Sequence, residues 1–202
     1  LNQDYKSGAD TYTHKSLGLC ALKWILKRGI HLASLHLPRT GLLSTVEKEG
    51  IHEAVTSLAL DGRLDKLESI IVSHCSYIRD TDLAAILSKC DRSVKSIFLQ
   101  GSGLTESSAV HIKRCTKLEA FAPHRNESAA DMAEIFLSCP RLRKVVLSDY
   151  GNRLTDEVVL NVAAHCPLLE HLNLGYCSAV SDSAIRRVTE SCPLLQWIRL
   201  LG

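Results

Sequence analysis

A cysteine that recurs every 24 to 27 residues constrains this chain more than any other feature of its sequence. The recurring positions are Cys90, Cys115, Cys139, Cys166 and Cys192, spaced 25, 24, 27 and 26 residues apart. Repeats of this length are typical of solenoids, in which each unit buries its apolar face only against its neighbours. The sequence therefore predicts a solenoid, an architecture that usually presents a binding surface.

Each repeat opens with the apolar pattern L-x-x-L-x-L. The repeats start at Leu67, Val94, Leu118, Leu142, Leu169 and Leu195. The last two apolar positions alternate with a period of two, which predicts a short strand with one buried face. These strands must be parallel because a helical crossover separates them. Pro123 takes the last apolar place of its strand and removes a ladder donor, so we expect a local distortion there.

Two further positions recur behind each strand. Three residues after the last strand position stands a small or polar residue that we expect to satisfy backbone groups inside the turn: Cys75, Ser102, Asn126 and Cys177, with Tyr150 as the exception. An acidic residue then precedes each helical pattern: Asp80, Glu106, Asp156 and Asp182. We interpret these acids as helix N-caps or first-turn residues. Ala129 replaces the acid in one repeat, whose helix should start less firmly.

The helical segments end at Cys-Pro in three repeats, because proline restricts the preceding residue to extended geometry. The whole motif, C-P-x-L-x-x-L-x-L-x-x-C-x-x-[IV]-[ST]-D, runs almost unbroken from Cys166 to Asp182. It resembles the cysteine-containing leucine-rich repeat, common in the F-box/leucine-rich-repeat receptors of SCF ubiquitin ligases and in the related Amn-type proteins. The resemblance implies an α/β solenoid, right-handed, with about seven parallel strands on a concave face and helices on the convex face.

The first third of the chain fits the repeat less well. HLASLHLP repeats the strand pattern at Leu32, Leu35 and Leu37, but the next clear strand starts only at Leu67. We therefore predict an N-terminal helical cap in residues 1–30, with a helix over 17–28, and an irregular first repeat in residues 31–66, helical between about 45 and 60. Residues 67–202 form the cysteine-containing repeats of the same single solenoid domain.

The eight cysteines are interpreted as free thiols, because most stand at one buried position of a chain much longer than small disulfide scaffolds. This favours a reducing compartment, the cytoplasm or nucleus, with an organellar matrix as the alternative. A net charge of +2 provides no strong electrostatic attraction to nucleic acid, and the longest apolar stretch is too short to span a bilayer. We expect neither a nucleic-acid nor a membrane partner.

No catalytic, metal or cofactor site is predicted. Gly101-Ser102-Gly103 is too short for a phosphate-binding loop and is explained by a tight turn. The pairs His74-Cys75 and His165-Cys166 have adjacent side chains that point apart, and no C-x-x-C or H-x-x-x-H spacing supports zinc. We expect a protein that is not an enzyme.

Residues between the buried strand positions should face the concave side and bind a protein partner. The predicted partner-binding residues are Ile71, Phe98, Lys144, Val146, His171, Asn173, Trp197 and Arg199. Ala122 falls on the same predicted row as Phe98, and His124 and Gly175 fall on the next row along the strands. Packing against other parts of the protein is the alternative for this apolar stripe.

The predicted function is a non-catalytic protein-interaction scaffold, as substrate-recognition or adaptor component of an SCF-type ubiquitin ligase. The alternative is a structural subunit of a large complex, in an organelle for example. No F-box is recognisable in this chain, so binding to a Skp-type adaptor requires one upstream of Leu1. A strand pattern at the C-terminal end leads us to expect truncation or a partner there.

Overall fold

The computed structural model describes residues 17–39, 41 and 43–200. The strands are β1 Ser34–His36, β2 Ser69–Ile71, β3 Ser96–Phe98, β4 Ala120–Ala122, β5 Lys144–Val146, β6 His171–Asn173 and β7 Trp197–Arg199. The α-helices are α1 Leu17–Arg28, α2 Thr45–Leu60, α3 Asp80–Cys90, α4 Ala109–Ile112, α5 Ala129–Ser138, α6 Asp156–His165 and α7 Asp182–Ser191. Two 3₁₀ turns, Glu106–Ser108 and Gly151–Arg153, precede α4 and α6.

The seven strands form one parallel sheet in sequence order, which confirms the predicted α/β solenoid. Successive strands pair in register, so that Ile70 lies opposite Ile97 and Leu172 lies opposite both Val145 and Ile198. The middle residue of each of the first six strands is buried, whereas Ile198 in β7 is half-buried. Those middle residues and the apolar sides of the helices make one continuous core, so the helices cover a single face of the sheet.

The recurring cysteines lie in this core at the helix ends, as predicted. Cys139, Cys166 and Cys192 follow directly after α5, α6 and α7, each immediately before a proline. Two of these thiols form hydrogen bonds between repeats: Cys139 Sγ donates to Cys115 O at 3.4 Å and Cys192 Sγ donates to Cys166 O at 3.5 Å. A small thiol fits where the helix of one repeat meets its neighbour.

The turn residues donate to carbonyl oxygens of the preceding repeat. Cys75 Sγ donates to Pro38 O at 3.3 Å, Asn126 Nδ2 to Leu104 O at 3.2 Å and Cys177 Sγ to Leu147 O at 3.0 Å. Tyr150 does the same with a longer reach, since its hydroxyl donates to His124 O at 2.8 Å. Tyr150, the exception in the sequence pattern, therefore makes the same kind of hydrogen bond to the preceding repeat as Cys75, Asn126 and Cys177. Ser102 differs, because its buried hydroxyl has no hydrogen-bond partner among the described residues.

The acidic residues lie in the first turn, one of the two positions predicted for them, and none of them is the N-cap itself. Asp80 accepts hydrogen bonds from Thr105 N at 3.0 Å and Thr105 Oγ1 at 2.6 Å, and Asp156 from Ser181 N at 2.7 Å and Ser181 Oγ at 2.6 Å. Thr105 and Ser181 are themselves N-caps of the next repeat. Each of these two carboxylates thus joins its own helix to the start of the next one.

The helix that lacks the acid is nevertheless capped. Ser128 precedes α5, and its hydroxyl accepts a hydrogen bond from Asp131 N at 3.1 Å. A serine at this place is among the strongest N-caps, because it satisfies an amide that the helix itself leaves free. The expectation of a weak start at Ala129 is therefore wrong.

The N-terminal region follows the predicted order of elements. Helix α1 packs on α2 through Leu22. Trp24 on the same helix is 52% exposed, and the Arg28 guanidinium lies over its ring. Arg63 Nη1 donates to Gly29 O at 2.9 Å, which fixes the end of α1 against the end of the irregular repeat. The part of the predicted cap before residue 17, the side chains of residues 17–19 and the last two residues lie outside the described residues.

Truncation of a buried strand leucine should strongly destabilise the solenoid. Leu172 is fully buried, so we expect Leu172→Ala to lower the free energy of unfolding by about 2–5 kcal/mol. Leu137→Ala is the matched control, because Leu137 is 63% exposed on α5. Chemical denaturation measures both; equal effects would contradict the assignment of Leu172 to the core.

The hydrogen bonds from Ser181 lower the pKa of Asp156 below its ordinary value. A lowered folded-state pKa means that this stabilisation is complete above the pKa of the unfolded chain and is lost as the pH falls through the folded value. We expect Ser181→Ala to raise the pKa of Asp156, measured by carboxyl NMR, and to reduce the acid sensitivity of unfolding below about pH 4. An unchanged pKa would contradict the contact between repeats.

Burial should keep most thiols unreactive in the folded protein. It raises the pKa of Cys75 to about 11 and those of Cys90 and Cys139 to about 12. All eight cysteines are free, and Cys20 is the exposed one. With Ellman's reagent near neutral pH we expect one fast thiol in the native protein, absent in Cys20→Ser, and eight after denaturation without reductant. A count well below eight would show disulfides.

Candidate functional site

The face of the sheet opposite the helices, which we call the concave face, carries all eight predicted partner-binding residues. Because middle strand residues point into the core, the first and third residues of each strand point the other way. Lys144, His171 and Trp197 are first residues in mutual register. The third residues are Ile71, Phe98, Val146, Asn173 and Arg199. The alternation of each strand therefore places all eight on one surface.

Phe98 and Lys144 meet across an intervening strand. The Lys144 ammonium lies 5.9 Å from the centroid of the Phe98 ring, although Phe98 is on β3 and Lys144 on β5. Strand β4 between them contributes only the small side chains of Ala120 and Ala122 on this side. This contact holds the lysine over an aromatic ring, where its charge is favoured by the quadrupole.

Toward the last strand a second group of side chains comes together. The rings of His171 and Trp197 lie 6.3 Å apart in a tilted arrangement, and Trp197 is 44% exposed. Asn173 Oδ1 accepts a hydrogen bond from Gly175 N at 3.0 Å, so this amide is partly engaged in shaping the turn. Arg199 is exposed beside Asn173 in register.

Three residues of the predicted rows are buried. Ala122 stays in register with Phe98 and is a small side chain covered by its neighbours, and Gly175 is buried in its turn. His124 is fully buried beside Ser108 and Glu127, because β4 and β5 pair only at their first two positions and Pro123 cannot continue the ladder. Gln100 Nε2 donates to Ser148 Oγ at 3.2 Å.

The sequence reasoning missed two members of the concave face, both on β1. Ser34 and His36, the first and third residues of β1, are exposed and lie opposite Ser69 and Ile71. The signal was present, because Leu35 and Leu37 mark the buried positions of the same alternation. Extending that alternation one strand further would have found both.

A buried Ser-His-Glu cluster has the residue types of a hydrolase site but a different geometry. Glu127 Oε1 lies 3.0 Å from His124 Nε2, and Ser108 Oγ lies 3.2 Å from the same nitrogen. Asn126 N donates to His124 Nδ1 at 3.1 Å, so the proton of the neutral ring is on Nε2. A general base needs a free nitrogen toward the serine and a carboxylate on the opposite nitrogen. Here the serine and the carboxylate both lie on Nε2, and all three side chains are buried, so the cluster lacks the geometry of a hydrolase site.

Charged residues alternate along the edge where the strands begin. Glu68, Lys95, Glu119, Arg143 and Glu170 directly precede five consecutive strands. Lys95 Nζ lies 3.0 Å from Glu68 Oε1, and Arg143 forms an ion pair with Glu170. Glu119 stands between Lys95 and Arg143 in the ladder. The acids next to the concave face thus lie beside cations of neighbouring repeats.

The opposite edge, where the strands end, carries turn residues in the left-handed conformation. His74, Gly101, Asp149 and Tyr176 occupy equivalent places with φ between 61° and 67°. Arg125 Nη2 lies 3.9 Å from Asp149 Oδ2. Partial desolvation and then the nearby Arg39 and Arg125 lower the pKa of His74. This edge is therefore lined with exposed cations, an anion and a histidine whose protonation is disfavoured.

The glycines of the Gly101-Ser102-Gly103 segment have a structural explanation. Gly103 is required because a β carbon there would lie 2.1 Å from Ser76 O, and Gly101 has a φ of +67°. The described residues contain no group of three or more His, Cys, Asp or Glu placed to hold a metal ion. None of the described helices has the length and apolar character needed to cross a membrane.

Comparison with known proteins gives distant likenesses only. No protein-family model matches the chain, and no curated protein matches it. A chain of the yeast Rad7 and Elc1 complex is 13% identical over 94% of this chain and 84% of its own length, with a TM-score of 0.45. The tropomodulin C-terminal domain of Caenorhabditis elegans is 13% identical over 87% of this chain and 92% of its own, with a TM-score of 0.44.

An internalin, inlF, of Listeria monocytogenes is 12% identical over 78% of this chain and 51% of its own length, with a TM-score of 0.46. At such identities and TM-scores these proteins carry no argument about what this chain binds. The assignment of the fold rests on the chain's own repeat motif, strand order and register.

Proposed function

We propose that this protein is a non-catalytic protein-interaction scaffold that binds its partner on the concave face. The observation that carries the proposal is the row of half-buried apolar side chains there, Ile71, Phe98 and Val146, beside the exposed Lys144, Trp197 and Arg199. Apolar centres with aromatic and arginine residues nearby are typical of protein-binding hot spots. A continuous in-register sheet holds these side chains before a partner arrives, which limits the entropy lost on binding.

The more specific role that we propose is that of a substrate-recognition or adaptor component of an SCF-type ubiquitin ligase. Its support is the cysteine-containing repeat motif from Cys166 to Asp182. Binding of a Skp-type adaptor would depend on an F-box in sequence preceding Leu1, so co-purification of that adaptor with the full-length protein tests this role. Retention in one large assembly at fixed stoichiometry would instead favour the structural-subunit alternative.

We also propose a reducing compartment, the cytoplasm or nucleus. The support is that all eight cysteines are free, with most of them packed inside the solenoid. Proteins of oxidising compartments that are rich in cysteine ordinarily pair them. Fractionation of cells that express the full-length protein tests the proposal.

Charge placed in the apolar row should abolish partner binding without unfolding the protein. We expect the double variant Phe98→Asp, Val146→Asp to lose the proteins that the wild type captures from an extract, because both carboxylates would have to be desolvated in the interface. The melting temperature should stay within a few degrees of the wild type, since both residues lie outside the sheet–helix core.

The matched control is Val110→Asp, Leu137→Asp, which places the same charges on exposed apolar positions of α4 and α5. This control should capture the same proteins as the wild type. Loss of capture in both double variants, or unfolding of the Phe98, Val146 variant, would contradict a binding function of the concave face.

A further inference from the structure

The outward positions of all seven strands lack a carboxylate. The strands read SLH, SII, SIF, AFA, KVV, HLN and WIR, and their charged or titratable residues are Lys144, Arg199, His36 and His171. The whole chain is nearly balanced, with 24 basic and 22 acidic residues. The absence of acids from this one surface is therefore local, and the outward strand positions carry two cations and no anion in an almost neutral molecule.

The acids nearest this surface offset only part of that charge. At the edge where the strands begin, Glu68 and Glu170 form ion pairs with Lys95 and Arg143, and Glu119 lies between those two cations, so this edge has one acid in excess. Asp149 at the other edge lies beside Arg125, and Arg39 is exposed on the same edge. On the face itself, Lys144 lies beside the aromatic ring of Phe98 and Arg199 lies beside the neutral Asn173.

The two cations stand too far apart to share one small anion. Lys144 and Arg199 lie on strands two apart and two positions apart along the strands, so their Cα atoms are about 12 Å from each other. The ammonium of Lys144 also leans toward Phe98, away from Arg199. An extended peptide covers about 12 Å in three or four residues, so one segment reaches both cations with two separate side chains.

We infer that the concave face docks an extended acidic peptide segment, with carboxylates on Lys144 and Arg199 and an apolar side chain against Ile71, Phe98 and Val146. This inference rests on the proposed function and adds the chemical class of the partner. Carboxylates match the sign and the wide spacing of the cations, whereas a phosphate is ordinarily bound by several converging donors. Two cations on the face are also few for nucleic acid, whose affinity depends on many phosphate contacts.

The test is to select binding peptides from a random displayed library of peptides about twelve residues long. Variants of the protein then show which of the selected peptides bind to the concave face. Peptides that bind the wild type and fail to bind Phe98→Ser, Val146→Ser should be enriched in Asp and Glu three or four positions apart. Their affinity, measured by fluorescence anisotropy, should fall about tenfold in Lys144→Gln and in Arg199→Gln, and it should be retained in Lys144→Arg. It should also fall as salt rises.

Arg186→Gln is the control for net charge, because Arg186 is exposed on α7 at the helical side of the protein. This variant should bind the selected peptides like the wild type. Equal losses in Arg186→Gln and Lys144→Gln would overturn the inference, since the effect would then follow overall charge and not the concave face.

The remaining outcomes separate this inference from the function on which it rests. Selected peptides that depend on the concave face but show no acidic enrichment overturn the acidic partner and leave the binding function intact. The same holds if phosphorylated versions of the library or a fluorescent poly(U) RNA bind and unmodified acidic peptides do not. Failure to select any peptide that depends on the face also overturns the inference, whereas the extract-capture experiment decides the binding function independently.

Discussion

Register between neighbouring parallel strands holds this solenoid together and places its outward side chains. A strand of three residues with one buried side chain cannot be stable alone, because it buries too little surface to offset its ordering. Stacked in register, Ile70, Ile97, Phe121, Val145 and Leu172 form one unbroken apolar row against the helices. The same register aligns the opposite side chains, so the core and the candidate binding face have a common cause.

Polar contacts between repeats maintain that register. The turn residues other than Ser102 donate to a carbonyl oxygen of the preceding repeat. The first-turn aspartates Asp80 and Asp156 bind the N-cap residue of the following helix. Each contact satisfies a backbone or hydroxyl group that would otherwise be exposed or unpaired where repeats meet. The repeat motif is therefore mainly a pattern of contacts between units, and it leaves the outward strand positions free to vary.

The repeat with Pro123 shows how this fold accommodates an irregular unit. Loss of a ladder position lets His124 turn inward, where Ser108 and Glu127 supply its polar partners, and Tyr150 of the next repeat donates to the His124 carbonyl oxygen. The two alanines of β4 are small, which lets Lys144 on β5 reach Phe98 on β3 across the concave face. This repeat therefore combines a local irregularity after β4 with a contact between two predicted partner-binding residues.

The sequence alone determined the class of fold, the number and direction of the strands, the buried cysteines and the face on which the eight candidate residues lie, because each follows from a period of two or of one repeat. Only the tertiary structure decided what those residues touch. That Asp156 holds the next helix, that His124 is buried and that Lys144 lies over Phe98 all depend on distances between repeats. Such distances are set by packing between units, which a pattern within one unit does not encode.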